Sequence, residues 1–380
     1  MRADTWQQRV TLGLGIFLSF IMVASLALPL LSQNVANPQV QPRATDVPPP
    51  TPPPVPDTTS IGFSDGYLHP SGLFRSAMPT GFQLTGETNN SGEVQVTMEN
   101  PETLSVVEMR VIRPTDQISL GSPQALGEQF TQEWLRQSWT GYSPWSEDQR
   151  VVQDDQLVMD FSLESGRQDY VARQVAFTDG TWIYTIRVVT PSNASDVMQY
   201  ILENQVESFE IIERYVGAPL QWEGYYDESS NHLIRFPDGW RVVDEGAGVP
   251  TSVEGLGAQL RVEVAEGVID SEDAASAYVT GLRSGVTVLS VEMVEQFGST
   301  GFRVAYTVPT VEGPTQSGAV LLLNGTDQTH IANVLLTDVT DTDLNAVDIT
   351  AEDADPALVD ARELLDSFSL FTDVSAASDS

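Results

Sequence analysis

The chain carries one pattern twice. Pro79-Thr80-Gly81-Phe82 is answered by Pro237-Asp238-Gly239-Trp240, and Ser208-Phe209 by Ser367-Phe368. A duplication on this scale means two copies of one ordinary-sized domain, each able to bury its own core. The offset between the copies is 158 at their starts, 148 in the middle and 159 at their ends. The second copy therefore lacks about ten residues early and gains about eleven late, in the acidic stretch Asp338 to Asp355. Divergent loops on a duplicated core fit two domains descended from one, joined around Tyr215 to Gly224.

Periodicity fills in the elements. The middle offset lays Leu126, Phe130 and Trp134 on Ala274, Tyr278 and Leu282, a spacing of four that predicts one helix per copy with a single apolar stripe. Ser122, followed by Pro123, and Ser271 are the expected N-caps. The same offset lays Asp179-Gly180-Thr181-Trp182-Ile183 on Asp327-Gln328-Thr329-His330-Ile331. Trp182, Tyr184, Ile186 and Val188 alternate with Thr181, Thr185 and Arg187, which predicts a strand with one face on a core. A closing helix follows from about Ser195 and from Asp355-Pro356. Strands, a helix, a meander and a final helix predict an α+β class: two tandem copies of a mainly antiparallel sheet with packed helices.

Val10 to Leu31 contains no charged residue, is preceded by Arg2 and Arg9, and is followed by no basic residue until Arg43. At about 1.5 Å per residue it spans a bilayer core of about 30 Å. The positive-inside rule places residues 1–9 in the cytoplasm, 10–31 in the membrane and the rest outside it. Cleavage of the run as a signal peptide is the alternative and would give a secreted protein. Nine prolines between Pro38 and Pro56 make residues 32–60 an extended stalk. The expected modules are 61–215 and 225–372, with a disordered tail at 373–380.

Composition removes whole classes of chemistry. With no cysteine there is no disulfide framework, thiolate nucleophile or lipidated cysteine. All 18 basic residues are arginine, so there is no Walker-type phosphate loop and no Schiff base. A net charge of -35 disfavours nucleic acid and acidic bilayer faces. It favours cationic partners, or serves solubility alone.

The opening strands with their Pro-x-Gly-aromatic turns, Phe74 to Phe82 and Ile234 to Trp240, and the closing helices into Ser-Phe resemble PsbP-like and Mog-like domains and the LpqN-type mycobacterial lipoproteins. The resemblance spans residues 65–215 and 225–372. It implies an extracytoplasmic, mostly noncatalytic binding or accessory role and carries over no functional residue.

Candidate sites are few. Gly62-Phe63-Ser64-Asp65-Gly66 matches G-x-S-x-G, but that chemistry needs a strand before the serine and a helix after it, whereas here a stalk precedes and a strand follows. His69 and His232 are expected in exposed turns, and His330 on a strand in place of Trp182. Asp154-Asp155 adjoins a turn, where a solvated loop outweighs an acid/base pair. Asp338, Asp341, Asp343 and Asp348 crowd oxygen ligands suited to calcium, against the reading of a solvated acidic loop. Trp139, Tyr142 and Trp145 have no counterpart in the second copy and would form a protein anchor or sugar platform, unless they seal the helix onto the sheet. Asn89, Asn193 and Asn324 begin sequons of a kind frequent by chance.

The leading expectation is a membrane-anchored tandem binding module, a noncatalytic accessory or assembly subunit for an extracytoplasmic or membrane protein, with no obligatory cofactor. A calcium-dependent or carbohydrate-binding surface domain is the alternative, and an extracytoplasmic hydrolase through Ser64 or His232 comes third.

Overall fold

The repeated turns share a backbone requirement. Gly81 and Gly239 sit at φ +84° and +85°, a region costly for any residue with a Cβ, so each Pro-x-Gly-aromatic motif reverses the chain after an opening strand. In a computed structural model of the chain, the described residues are 55–370, apart from 115–119, 121, 228–229, 245–249, 256, 312 and 352. The apolar run 10–31, most of the proline-rich segment and the tail lie outside them. Among the described residues no helix is long and apolar enough to cross a membrane.

The first module runs β1 (Phe63–Leu68), β2 (Phe74–Pro79), β3 (Gln83–Asn89), β4 (Glu93–Asn100), β5 (Ser105–Ile112), α1 (Pro123–Gln129), α2 (Gln132–Ser138), β6 (Trp145–Gln153), β7 (Gln156–Ser165), β8 (Gln168–Thr178), β9 (Ile183–Pro191), α3 (Ser195–Ser208) and β10 (Glu210–Ile211). The second repeats the order: β11 (Glu223–Asp227), β12 (His232–Phe236), β13 (Arg241–Asp244), β14 (Thr251–Gly255), β15 (Ala258–Glu266), α4 (Glu272–Leu282), β16 (Thr287–Gln296), β17 (Ser299–Val308), β18 (Gln316–Asn324), β19 (Gln328–Leu336), α5 (Pro356–Ser367) and β20 (Ser369–Leu370). Each module has a seven-stranded antiparallel sheet, ordered β3-β4-β5-β9-β8-β7-β6 and β13-β14-β15-β19-β18-β17-β16. Each also has a three-stranded sheet, β1-β2-β10 and β11-β12-β20. The class is α+β, as the pattern of elements predicts.

Strand pairing fixes the correspondence. Phe74 pairs with Ile211 and His232 with Leu370, which reproduces the end offsets of 158 and 159. In the middle, Thr178 pairs with Ile183 and Asn324 with Thr329 across equal four-residue turns, so the offset is 146 and not 148. A two-residue slip keeps every side chain on its face, so alternation alone does not detect it. His330 therefore stands in place of Tyr184, and not of Trp182. The Ser-Phe pair recurs because each serine ties the closing helix to the opening strand. Ala77 N donates to Ser208 Oγ (3.3 Å), and Arg235 N donates to Ser367 Oγ (3.1 Å). Phe209 and Phe368 then enter the core side by side with Phe74 and His232.

Several expectations on packing and capping are corrected. All nine residues of β9 are buried, so both faces of the central strand are covered, not one. Tyr184, Ile186 and Val188 pack under α3, while Ile183 and Val189 belong to a separate core under α1 and α2. The single stripe of the first module is two short helices, because Thr131 caps a new one by accepting from Trp134 N at 3.2 Å. In the second module the buried positions are Ala275 and Val279, one residue beyond Ala274 and Tyr278, and Leu282 is exposed. Ser271 caps α4 by accepting from Ala274 N, whereas Ser122 makes no capping bond.

The modules are packed against each other and hydrogen-bonded across their junction. Leu233 of β12 lies in the first module's core. Arg235, fully buried and without a carboxylate partner among the described residues, donates from Nε to Ser71 O (2.7 Å) and from a terminal nitrogen to Pro219 O (2.6 Å). Its Cζ lies 5.4 Å from the Tyr215 ring centroid, and burial lowers its pKa to about 10. Tyr215 O–H donates to Ser367 O at 2.7 Å, and Gly224 N to Pro70 O at 2.5 Å. A Cβ on Gly224 would lie 3.0 Å from Gly72 N, so a side chain there would push the two backbones apart.

Candidate functional site

The groups with the greatest chemical reach are enclosed. His69 and His232, expected in exposed turns, are each 1% exposed. Both are covered by strands distant in sequence, which local turn signals do not register. His69 Nδ1 accepts from Ser71 N (3.0 Å), so Nε2 donates to Gln95 O (3.2 Å). The ring stacks on Phe74 at 4.9 Å, and burial lowers its pKa to about 4. His232 is the first residue of β12 and has no hydrogen-bond partner at either ring nitrogen among the described residues. Its centroid lies 6.2 Å from His330 and 5.4 Å from Phe368, and burial lowers its pKa to about 4 against the pull of Asp227. His330 is buried too, with its pKa lowered by desolvation.

Ser64 lies within the β1–β2 hairpin, its Oγ donating to Met78 O at 3.2 Å, and no helix follows it. Asp154 and Asp155 form the left-handed β6–β7 turn, at φ +48° and +62°. Three of the acidic-loop carboxylates are already hydrogen-bonded, two of them to residues distant in sequence and two in local turns. Asp341 accepts from Thr315 Oγ1 (2.6 Å), Asp343 from Ser290 Oγ (2.8 Å) and Asn345 N (3.0 Å), and Asp348 from Thr350 N (2.9 Å). The Thr350 side chain and backbone lower the pKa of Asp348. Asp338 is exposed. Among the described residues no three histidine or acidic side chains converge as a metal-holding group.

Trp139, Tyr142 and Trp145 are brought together, but under the helices. Trp139 is 2% exposed, with Tyr142 edge-on at 5.8 Å and Phe161 at 5.0 Å. Tyr142 and Trp145 pack half-buried against the same cluster. Burial pushes the Tyr142 phenol up to about 12. Below Trp139 lies a polar row that sequence reading passed over: Glu108, Arg187 and Gln174 are paired directly across β5, β9 and β8. Arg187 donates to Gln174 Oε1 (2.9 and 2.6 Å) and pairs with Glu108 at 3.2 Å. The Trp139 ring covers its Cζ at 4.0 Å, a cation–π contact in a dry site. Burial lowers the pKa of Arg187 to about 10, with Glu108 opposing. Burial alone would raise Glu108, but Arg187 and Arg110 hold it below its ordinary value. The signal was the one charged residue in a strand of otherwise uncharged residues.

The second module lacks this cover. N-caps Ser122 and Ser271 differ by 149, whereas Ser146 and Thr287, aligned through their partners Ser162 and Thr307, differ by 141. Eight residues are therefore missing between helix and strand, the segment that carries Trp139 and Tyr142. In their place a cavity of about 560 Å³ opens between the end of α4 and the sheet, lined in part by Arg261, Arg283, Tyr306, Asn333 and Leu335. Strand pairing lays Asn333 on Arg187, Arg261 on Glu108 and Tyr306 on Phe161. The Tyr306 ring lies across Gly318, where a Cβ would meet it at 2.5 Å. Its hydroxyl donates to Asn333 Oδ1 at 2.8 Å. Burial raises its pKa to about 12, so it stays a donor.

No protein-family model matches the chain, and no curated protein matches it. Among solved structures, a cyanobacterial PsbP (CyanoP) from Synechocystis sp. PCC 6803 is similar at 14% identity and TM-score 0.28, covering 40% of this chain and 92% of its own. The T6SS immunity protein TplEi from Pseudomonas aeruginosa is similar at 12% identity and TM-score 0.22, covering 75% and 97%. A Tle4-Tli4 complex gives 12% identity and TM-score 0.22, covering 83% and 98%. At these scores the likenesses carry no argument about function.

Proposed function

We propose that this chain is a noncatalytic accessory protein: a rigid pair of binding modules carried outside a membrane by its amino-terminal segment, serving an extracytoplasmic or membrane protein. The observation that carries the reading is the enclosure of all three histidines, which leaves Ser64 and the surface carboxylates without an exposed histidine as general base. The Arg235 and Tyr215 junction supports it, because a stiff two-module body presents a large surface of fixed geometry. The resemblance of the opening turns and closing helices to PsbP-like, Mog-like and LpqN-type domains agrees with it. The apolar run 10–31 and the proline-rich stalk supply the tether.

The test is purification of a carboxy-terminally tagged full-length chain from native membranes in mild detergent, followed by crosslinking and mass spectrometry. A stoichiometric protein partner crosslinked to the described modules is expected. A lone chain, or turnover abolished by Ser64→Ala, would overturn the reading.

A further inference from the structure

The cavity of the second module stands where the first module keeps a tryptophan. In the first, an indole covers a guanidinium at 4.0 Å, with Phe161 at its side. In the second, the sheet still offers a polar group at the Arg187 position, namely Asn333, and an aromatic ring at the Phe161 position, namely Tyr306. The first module thus shows what shape fills the space: a planar aromatic group of about indole size.

The walls say what charge it carries. Because the Tyr306 hydroxyl occupies Asn333 Oδ1, the amide nitrogen of Asn333 remains a donor with no partner among the described residues. Glu263 also lines the cavity, but its carboxylate is engaged by Arg261 at 3.1 Å and by the Tyr278 hydroxyl at 3.2 Å, and no carboxylate of the described residues forms an ion pair with Arg283, which lines the cavity beside Leu282. In a chain of net charge -35, a wall with two guanidinium groups against the single carboxylate of Glu263, one of them unpaired among the described residues, is locally the reverse of its surroundings. Leu335, Val308 and Val286 complete an apolar lining for the body of a ligand.

We propose that this cavity binds a small planar aromatic carboxylate, its ring against Tyr306 and Leu335 and its carboxylate on Arg283 and the Asn333 amide. This site does not depend on the accessory role proposed above.

The experiment titrates the full-length chain in zwitterionic nanodiscs with indole-3-acetate and with the neutral indole-3-acetamide, by calorimetry at physiological salt and with empty discs subtracted. The overall negative charge repels the acid, so a preference for it must come from local groups. The acid is expected to bind about ten-fold more tightly than the amide, and Arg283→Ala, at an exposed position, to remove that preference. Val286→Trp places an indole where the first module has Trp145 and should abolish binding of both. Should that variant misfold by melting analysis, Gly281→Trp at the exposed rim fills the same space. No binding by about 5 mM, an amide bound as tightly as the acid, or binding that survives Arg283→Ala and a folded cavity-filling variant each overturns the proposal.

Discussion

The two modules share every strand pairing of their sheets yet differ in what covers one face. In the first, Trp139 closes the space under the helices over a fully paired arginine. In the second, eight residues are missing, the arginine is an asparagine, and the space is open. Duplication preserved the ladders, which a fold cannot lose, while the helix-to-strand connection diverged. A connection carries few of the backbone bonds that hold a sheet together, so its length can change without loss of the fold.

Trp139→Ala tests this most severely. It would give the first module the second's opening, but inside a core built around the indole and over a guanidinium that loses its cover. A loss of about 3–5 kcal/mol is expected, read by denaturant unfolding with the midpoint shifted at unchanged slope. A loss under about 1 kcal/mol would mean that the ring is a loose cover and the modules are more alike than their packing indicates.

Arg235→Ala gives the second module the residue the first has at that point, Ala77. The carbonyl of Ser71 would be left without its donor, at about 1–3 kcal/mol, while Pro219 O keeps only the long bond from Trp222 N at 3.4 Å, and removing a buried charge offsets part of this. The expected result is a calorimetric trace that splits from one transition into two as the modules uncouple. A single transition at an unchanged midpoint would show that Leu233, Tyr215 and the Gly224–Pro70 bond hold the junction without Arg235.

His232→Phe installs the first module's Phe74 in the second. His232 stays neutral in the fold, with a pKa near 4, while in the unfolded chain it takes up a proton near pH 6.5. Its contribution is complete above about pH 6.5 and is lost as pH falls towards 4, by about 3 kcal/mol at the limit. The phenylalanine variant should therefore gain over the wild type as pH falls from 7.5 to 4.5, measured as the difference between the two melting temperatures. A difference that does not change with pH would show that the ring is reached by water and is not held neutral.

The legibility of these features in the sequence follows from their physics. The duplication was readable at Pro79 and Pro237 because positive-φ glycine and the serine tie are local demands with fixed residues. The middle offset was misread by two because strand patterns repeat every two residues, and only the hairpin register at Thr178 and Asn324 resolves it. His69 and His232 were misplaced because their burial comes from strands far along the chain. The open cavity arises from an absence, and an absence of eight residues leaves no pattern to find until the strands on either side are aligned.

The smallest difference between the modules lies at their helix starts. Both carry serine at the N-cap, but only Ser271 bonds the first turn, while Ser122 leaves this to the proline at the next position, which has no N–H to satisfy. Ser271→Ala should cost about 1 kcal/mol, and Ser122→Ala a few tenths at most, in parallel urea titrations. The comparison is internal, because the two substitutions delete the same atom from corresponding positions of one molecule. Equal losses would place a capping bond in the first module that the geometry at Ser122 does not contain. Helix α4 also has no tryptophan behind it, so the cap carries a larger share of what holds that helix over the cavity. Ser271→Ala should therefore loosen the cavity rim around Leu282 and Arg283, seen as faster amide exchange at the end of α4, while α1 and α2 are unchanged by Ser122→Ala.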